Sequence, residues 1–260
     1  MEVSEYIAYL MSEPYKSSCV RSSKVLSISH DEVNRFLSGN HFTGKDLFDN
    51  ICAAIVRVGG VLSVDDTVLD KHFSDPEHTE LVGYFYSGRH HKQVKGINLI
   101  VLHYTDPKGI SVPVNFRVYR HREHKTKNEY FQAMCQEVFA WGLKPSFVTM
   151  DSWYSSIENL KFLRNREVSI LMGLESNRLV STTPHVYEQL QDMDIPEQGL
   201  YTHLKGFDFI KVFRTVDQDD HVRHYGIYLM DSEQLRALDK EKDSKTLKSS
   251  IGRSNRCSGL

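Results

Sequence analysis

The chain has 260 residues, of which 40% are hydrophobic, 25% charged and 11% aromatic, a mix that excludes a wholly disordered or fibrous protein. Its formal net charge of −2 lacks the basic excess of many nucleic-acid-binding proteins, although a local basic patch is enough for such binding. No stretch approaches the roughly 18 apolar residues of a membrane span, and the acidic first residues do not resemble a signal peptide. Four scattered cysteines without a CxxC pair favour a reducing, cytoplasmic setting.

Residues 1–57 form the first predicted region, which is helical. Apolar residues at helical spacing predict a helix around Ile7 and Leu10 and another amphipathic helix over 46–58. Between them, Ser29 or Asp31 is expected to cap a short helix. Such a region is either a packing subdomain or a DNA-reading helical module. The packing subdomain is favoured because the basic surface is thin, consisting of Arg21, Lys24, Arg35 and Lys45.

Residues 58–175 form the second predicted region, where the hydrophobic period changes after Gly59-Gly60. Its strands are predicted at 61–64, 94–104, 112–119, 146–150 and 168–174, and its helices at 127–141 and 155–166. A polar connection is expected over 72–93. The order strand, hairpin pair, helix, strand, helix, strand predicts an α/β fold with a mixed sheet and flanking helices.

Two further regions follow. Residues 176–231 contain short apolar runs separated by Pro and Gly, which predicts a β-rich insertion. Residues 232–260 begin as a helix and then become rich in Ser, Lys, Gly and Asn. A segment of that composition buries too little to order itself, so we expect disorder from about residue 242.

Two acids are placed where α/β sheets form their sites. Asp66 and Asp151 each follow a predicted apolar strand, and adjacent strands would bring their carboxylates together. Paired carboxylates suit Mg²⁺ or Mn²⁺, which support phosphodiester chemistry. The alternative is that each acid caps the turn or helix that follows it. Asp65 adjoins Asp66, and only one of the two is expected to face Asp151, because alternate strand residues point to opposite sides.

Trp153 and Tyr154 are expected to be packing residues.

Basic residues form two clusters that either contact DNA phosphates or are solvated loop charge. The first contains Arg89 and Lys92, beside the pair His90-His91. That pair alone does not predict zinc, because neither a Cys nor a third His lies at ligand spacing. The second cluster follows the third strand and contains Arg120, Arg122, Lys125 and Lys127.

Three segments carry a resemblance to a known family. Residues 63–71 (SVDDTVLDK), 147–163 (FVTMDSWYSSIENLKFL) and 174–178 (LESNR) resemble, in this order, the signatures of bacterial insertion-sequence transposases with a DDE catalytic core. The resemblance implies an RNase H-like core with a β-rich insertion, and catalytic, metal-holding roles for Asp66 and Asp151. It favours Asp66 over Asp65, because a Thr follows the acid in the family pattern. It also implies Mg²⁺ or Mn²⁺, transposon-end and target DNA as partners, and a homodimer on DNA. A bacterial, nucleoid-associated location follows from the same resemblance.

One departure from the family pattern concerns the third acid. The family carries a catalytic Glu on a later helix rich in basic and aromatic residues, and no such segment occurs in this sequence. We therefore expect a chain truncated or frameshifted near Lys240, with its third acid unknown. Glu175, Glu233 and Glu241 are interpreted as ordinary surface acids. Two alternatives stay open: a catalytically inactive remnant that only binds DNA or partner subunits, and an RNase H-like nuclease of another type.

Overall fold

A computed structural model describes residues 1–13, 18–88, 90–216 and 220–238, and the chain divides into two units at Thr43/Gly44. The first unit holds helices α1 (Val3–Ser12), α2 (Cys19–Leu26) and α3 (His30–Gly39). Helix α2 was not predicted, because its segment is rich in serine. One of those serines, Ser18, begins the helix by accepting a hydrogen bond from the backbone N–H of Arg21.

The second unit contains four helices and eleven strands among its described residues. In chain order they are α4 (Gly44–Ile51), β1 (Val61–Asp70), β2 (Gly83–Ser87), β3 (Lys92–Thr105), β4 (Ser111–Val118), α5 (Lys127–Ala140), β5 (Phe147–Met150), α6 (Ile157–Arg164), β6 (Ser169–Leu174), β7 (Leu179–Thr183), β8 (Val186–Gln189), β9 (Leu200–Leu204), β10 (Phe209–Val216), β11 (Val222–Tyr228) and α7 (Ser232–Ala237). Short 3₁₀ turns lie at His121–Glu123 and Leu190–Asp192.

The strands form one mixed sheet in the order β2-β3-β1-β5-β6-β11-β10-β9-β7-β8, with β4 paired to β3. Strand β5 is parallel to both of its neighbours, β1 and β6, while β3 runs antiparallel to β1. The connection β5-α6-β6 is therefore a βαβ unit. This arrangement confirms the predicted α/β class and is consistent with an RNase H-like fold.

The main core lies between the sheet and the helices α5 and α6. Apolar side chains of the central strands meet those of the two helices there, and Cys135 on α5 is fully buried among them. The largest fully buried side chains of this core include Leu62, Ile100, Leu102, Tyr104, Phe131, Met134, Leu160 and Leu163. This packing fixes the central strands against α5, which also carries Lys127.

Three element boundaries differ from the sequence-based expectation. Strand β1 continues to Asp70, because it pairs antiparallel with β3 from Val61↔Thr105 to Asp70↔Gly96. Strand β2 lies inside the predicted polar connection, and α4 ends at Ile51 rather than near residue 58. The predicted β-rich insertion supplies β7 to β11, and β11 joins them to the sheet by pairing with β6. The predicted disordered tail from residue 242 lies outside the described residues.

A membrane-crossing helix is not found in the described part of the chain, where every helix is too short or too polar for that role.

Candidate functional site

The candidate acids lie on neighbouring parallel strands. Asp151 directly follows β5, as the sequence predicted. Asp66 lies inside β1 rather than after it, because the pairing with β3 carries the strand past this residue. It nevertheless lies beyond Ser63↔Thr149, where the parallel pairing of β1 with β5 ends. Both acids are therefore at the carboxyl end of this strand pair, where α/β folds commonly place their sites.

Both members of the Asp65-Asp66 doublet interact electrostatically with Asp151. Burial raises the pKa of Asp151, and the charge of Asp66 raises it further. Burial also raises the pKa of Asp65 to about 6, with a smaller contribution in the same direction from Asp151. The positive charge of Lys127 opposes these shifts at Asp65 and Asp151. The site is thus a partly buried group of three acids beside one lysine.

Three side chains hold the Asp66 carboxylate. The Tyr154 hydroxyl donates to Oδ1 at 3.2 Å. The Asn98 amide and the Lys127 ammonium both donate to Oδ2, each at 2.7 Å. Tyr154 and Asn98 are almost completely buried, so neither can turn to solvent for another partner. Asp66 is therefore fixed from the sheet, from the segment after β5 and from the start of α5.

Asp151 is held through one of its two oxygens. Its Oδ1 accepts the backbone N–H groups of Trp153 at 3.0 Å and Tyr154 at 3.2 Å. Oδ1 of Asp151 therefore caps the turn, as the alternative interpretation expects, and these bonds leave Oδ2 for another ligand. Tyr154 contacts both candidate acids, one through its hydroxyl and the other through its backbone. Its packing role is also real, since its ring lies 5.8 Å from that of Phe131.

Trp153 differs from the expectation that it packs in the interior. Its side chain is 74% exposed. The turn capped by Asp151 gives adjacent residues different directions, so Tyr154 enters the core while Trp153 points to solvent. An exposed tryptophan therefore lies directly beside the candidate site.

A cleft of about 250 Å³ adjoins Asp151 between the end of β6 and the start of β11. Glu175 lies in it and accepts a hydrogen bond from the Ser152 hydroxyl. The other two acids weighed as substitutes lie elsewhere: Glu233 is in the first turn of α7, and Glu241 is outside the described residues. Within the described ranges, no three His, Cys, Asp or Glu side chains are arranged to hold a metal ion.

The predicted basic residues divide into an exposed group and one that faces the acids. Arg120, Arg122 and Lys125 are exposed around the 3₁₀ turn before α5, where Arg120 and Lys125 lie 4.0 and 3.7 Å from Glu123. Lys92 is exposed at the start of β3, and Arg89 lies outside the described residues. Lys127 instead donates to Asp66.

The oxygen donors at this site fit a hard divalent cation. Asp66 and Asp151 supply carboxylate oxygens, the ligand type that Mg²⁺ and Mn²⁺ prefer. The buried Oδ1 of Asn98 has no hydrogen-bond partner, although the amide nitrogen of the same side chain contacts Asp66. An unpaired buried oxygen is costly, and a cation beside Asp66 would give it a partner if the amide turned over.

Comparison with known proteins assigns the family. Among curated proteins, none matches the chain. The family model described as DDE superfamily endonuclease matches residues 3–192, which is well over half of the chain and includes both candidate acids. Proteins of this family are nucleases that act on DNA and generally use divalent metal ions. With its α/β sheet and two acids at the carboxyl end of a parallel strand pair, the chain belongs to the DDE superfamily endonucleases.

Proposed function

We propose that this protein is a DDE-type transposase of bacterial insertion-sequence origin, which cleaves and joins DNA with Mg²⁺ or Mn²⁺. The observation that carries the proposal is the linkage of Asp66 and Asp151 through Tyr154, at the carboxyl end of two parallel strands. A shared buried tether keeps the two carboxylates together, which is what phosphodiester chemistry on a divalent ion requires.

Asp66 and Asp151 are the residues that would hold the ion, with Asn98 as a neighbouring oxygen donor. When bound, the ion supplies activation of the attacking oxygen and stabilisation of the leaving oxygen. In the first step, water attacks a phosphorus at the element's end, the P–O3′ bond breaks, and the 3′ oxygen leaves as a hydroxyl. In the second step, that hydroxyl attacks a target phosphorus and displaces the 3′ oxygen of the target strand.

Exposed basic side chains would position the DNA. Arg120, Arg122 and Lys125 lie in the segment that leads into α5, whose first residue contacts Asp66. Guanidinium and ammonium groups on this segment suit contacts to phosphates on either side of the scissile bond. Lys92 belongs to the same proposal, together with Arg89.

A second candidate is a protein that binds DNA or partner subunits without cutting. The observation that favours it is the count of acids at family positions, since the sequence supplies Asp66 and Asp151 but no later segment rich in basic and aromatic residues that carries a Glu. The third acid stays unknown. A cytoplasmic, nucleoid-associated location and a homodimer on DNA belong to both candidates.

Metal binding and strand cleavage test the proposal together. Titration of the metal-free protein with Mn²⁺ is expected to give binding that Asp66→Asn and Asp151→Asn each abolish. Asp194→Asn, which removes one exposed acid, is the matched control. Cleavage of labelled duplex DNA in Mg²⁺ or Mn²⁺ separates the candidates: cleavage lost in both site variants indicates an active nuclease, and binding without cleavage indicates the inactive form. Unchanged Mn²⁺ binding in both variants would contradict the site.

A further inference from the structure

Lys127 is held at the start of α5 by an N-terminal capping box. The Thr126 hydroxyl accepts the backbone N–H of Glu129 at 3.2 Å, and the Glu129 carboxylate accepts the backbone N–H of Thr126 at 2.6 Å. These bonds fix the backbone of the first turn. From this fixed point the Lys127 side chain reaches β1 and donates to Asp66 at 2.7 Å.

The Lys127–Asp66 pair is more shielded than an ordinary surface ion pair. The Lys127 side chain is 33% exposed and that of Asp66 only 17% exposed. Partly buried charges interact more strongly than solvated ones, because less water screens them. Since the charge of Lys127 also acts on Asp65 and Asp151, this single ammonium offsets repulsion within the whole group of acids.

A divalent cation on the Asp66 carboxylate would compete with this ammonium, and at Oδ2 it would need the position that the ammonium occupies. Asp66 Oδ2 already accepts two hydrogen bonds, one from Asn98 and one from Lys127. A carboxylate oxygen has about two lone-pair directions, so this oxygen has no room for a further ligand while both donors stay in place. A second positive charge beside the ammonium would also repel it. Ion binding and the Lys127 contact are therefore alternatives at Oδ2.

We propose that Lys127 is a resident counter-ion: its ammonium neutralises the acids in the metal-free protein, leaves Asp66 when the metal binds, and then contacts a DNA phosphate. This inference rests on the proposed function and adds a regulatory step to the same site. The lysine stem is flexible and its ammonium has three donors, so it can exchange a carboxylate for a phosphate without movement of the helix. Metal binding would thereby make one more cation available to DNA.

The first test compares Mn²⁺ affinity by calorimetric titration of the metal-free protein. Lys127→Met removes the competing ammonium and keeps most of the stem, so we expect Mn²⁺ to bind about tenfold tighter than to the parent. Lys161→Met removes an exposed lysine of α6 and is expected to leave the affinity unchanged. Lys127→Gln is the second variant, and its shorter neutral side chain is expected to shift the affinity in the same direction.

The second test compares the affinity for a short DNA duplex with and without metal. In EDTA, where Lys127 is on Asp66, we expect Lys127→Met to change DNA binding little. In Mn²⁺ the variant is expected to bind DNA several-fold more weakly than the parent, because the released phosphate contact is missing. Equal losses in EDTA and in Mn²⁺ would overturn the exchange of partners.

The outcomes also separate this inference from the proposed function. Suppose that both Lys127 variants bind Mn²⁺ no more tightly than the parent, while Asp66→Asn does not bind it. This result overturns the counter-ion role of Lys127 and leaves the proposed metal site supported. Mn²⁺ binding that survives Asp66→Asn and Asp151→Asn, or that is absent from all the proteins, overturns both. A thermal melt in EDTA checks folding: the Lys127 variants are expected to melt below the parent and to regain most of the difference in Mn²⁺.

Discussion

At the residue scale, Tyr154 links the two candidate acids. Its hydroxyl donates to Asp66 across 88 positions of sequence, while its backbone N–H donates to Asp151. The sequence identifies both acids through their place after apolar strands. It could not identify the tether, because an aromatic residue at that position is equally consistent with simple packing, and only the fold brings it to Asp66.

Tyr154→Phe keeps the buried ring and removes the tether. We expect a loss of about 1.5–3 kcal/mol in the free energy of unfolding, the range for a hydrogen bond to a charged group. Mn²⁺ affinity is expected to fall as well, since Asp66 loses the donor that orients Oδ1. Urea unfolding and Mn²⁺ titration measure the two effects. Tyr84→Phe, at a 63% exposed position, is the control, and a Tyr154→Phe protein matching it in both assays would refute the tether.

Asp65 leads to a prediction about pH. Burial raises the pKa of its carboxyl to about 6, so the folded state binds this proton more tightly than the unfolded chain does. The contribution of Asp65 to stability is therefore favourable at low pH and is lost as the pH rises from about 4 to about 6.

Asp65→Asn removes that titration. In metal-free buffer at pH 7 we expect the variant to be more stable than the parent by about 1–3 kcal/mol, and this advantage should disappear near pH 4. Urea unfolding across this pH range measures the difference, with Asp194→Asn as the control for loss of an exposed acid. An advantage that does not change with pH would show that the buried charge is not its cause.

At the scale of elements, the local hydrophobic pattern predicts the strands and helices that keep one face buried along their whole length. The alternating or continuous apolar runs of β3 and β5 and the helical spacing of α5 follow directly from one buried face. Strand β2 was missed because its alternation of exposed Tyr84 and Tyr86 with buried residues is short, and its polar flanks resemble a loop. The continuation of β1 past its acids was missed because pairing with β3, rather than composition, sustains it.

Gly173 makes β6 part of the site. A Cβ added there would lie 2.9 Å from the backbone nitrogen of Ser152, closer than real Cβ contacts, and 3.2 Å from the carbonyl carbon of Asp151, tighter than most of them. Gly173→Ala is therefore expected to push the segment after β5 away, with a loss of about 1–3 kcal/mol in stability and weaker Mn²⁺ binding.

Gly88→Ala is the matched control for this change, because an added Cβ there has no neighbour within 4 Å. Urea unfolding and Mn²⁺ titration of the two variants measure the difference. If Gly173→Ala behaves like Gly88→Ala, the close approach of β6 to Asp151 does not position the acid.

At the scale of the whole molecule, one sheet contains both the site and the β-rich segment that the sequence set apart. The sequence predicted strands in that segment from Pro and Gly punctuation. It could not show that β11 pairs with β6, because that pairing joins Tyr225 to Gly173 across the intervening β7 to β10. The cleft beside Asp151 depends on this pairing, since residues of β6 and β11 and those just after β6 supply most of its walls.

Because the overall charge is −2, we expect DNA binding to depend on the exposed basic residues around the 3₁₀ turn. We expect salt-sensitive binding of duplex DNA, because phosphate contacts release counterions. A double variant, Arg120→Gln with Arg122→Gln, is expected to weaken binding and to lower the slope of log affinity against log salt by about 2, roughly one for each lost contact. Fluorescence anisotropy over a salt series measures this slope.

The control for this prediction is a double variant that removes two exposed lysines elsewhere, Lys161→Gln with Lys205→Gln. Both double variants change the net charge equally, so a general effect of charge would lower the two slopes alike. If DNA contacts the protein just before α5, only the arginine variant should lower the slope of log affinity against log salt. Arg120 and Arg122 precede the helix whose first residue reaches Asp66. Equal slopes in the two variants would place the DNA on another face of the protein.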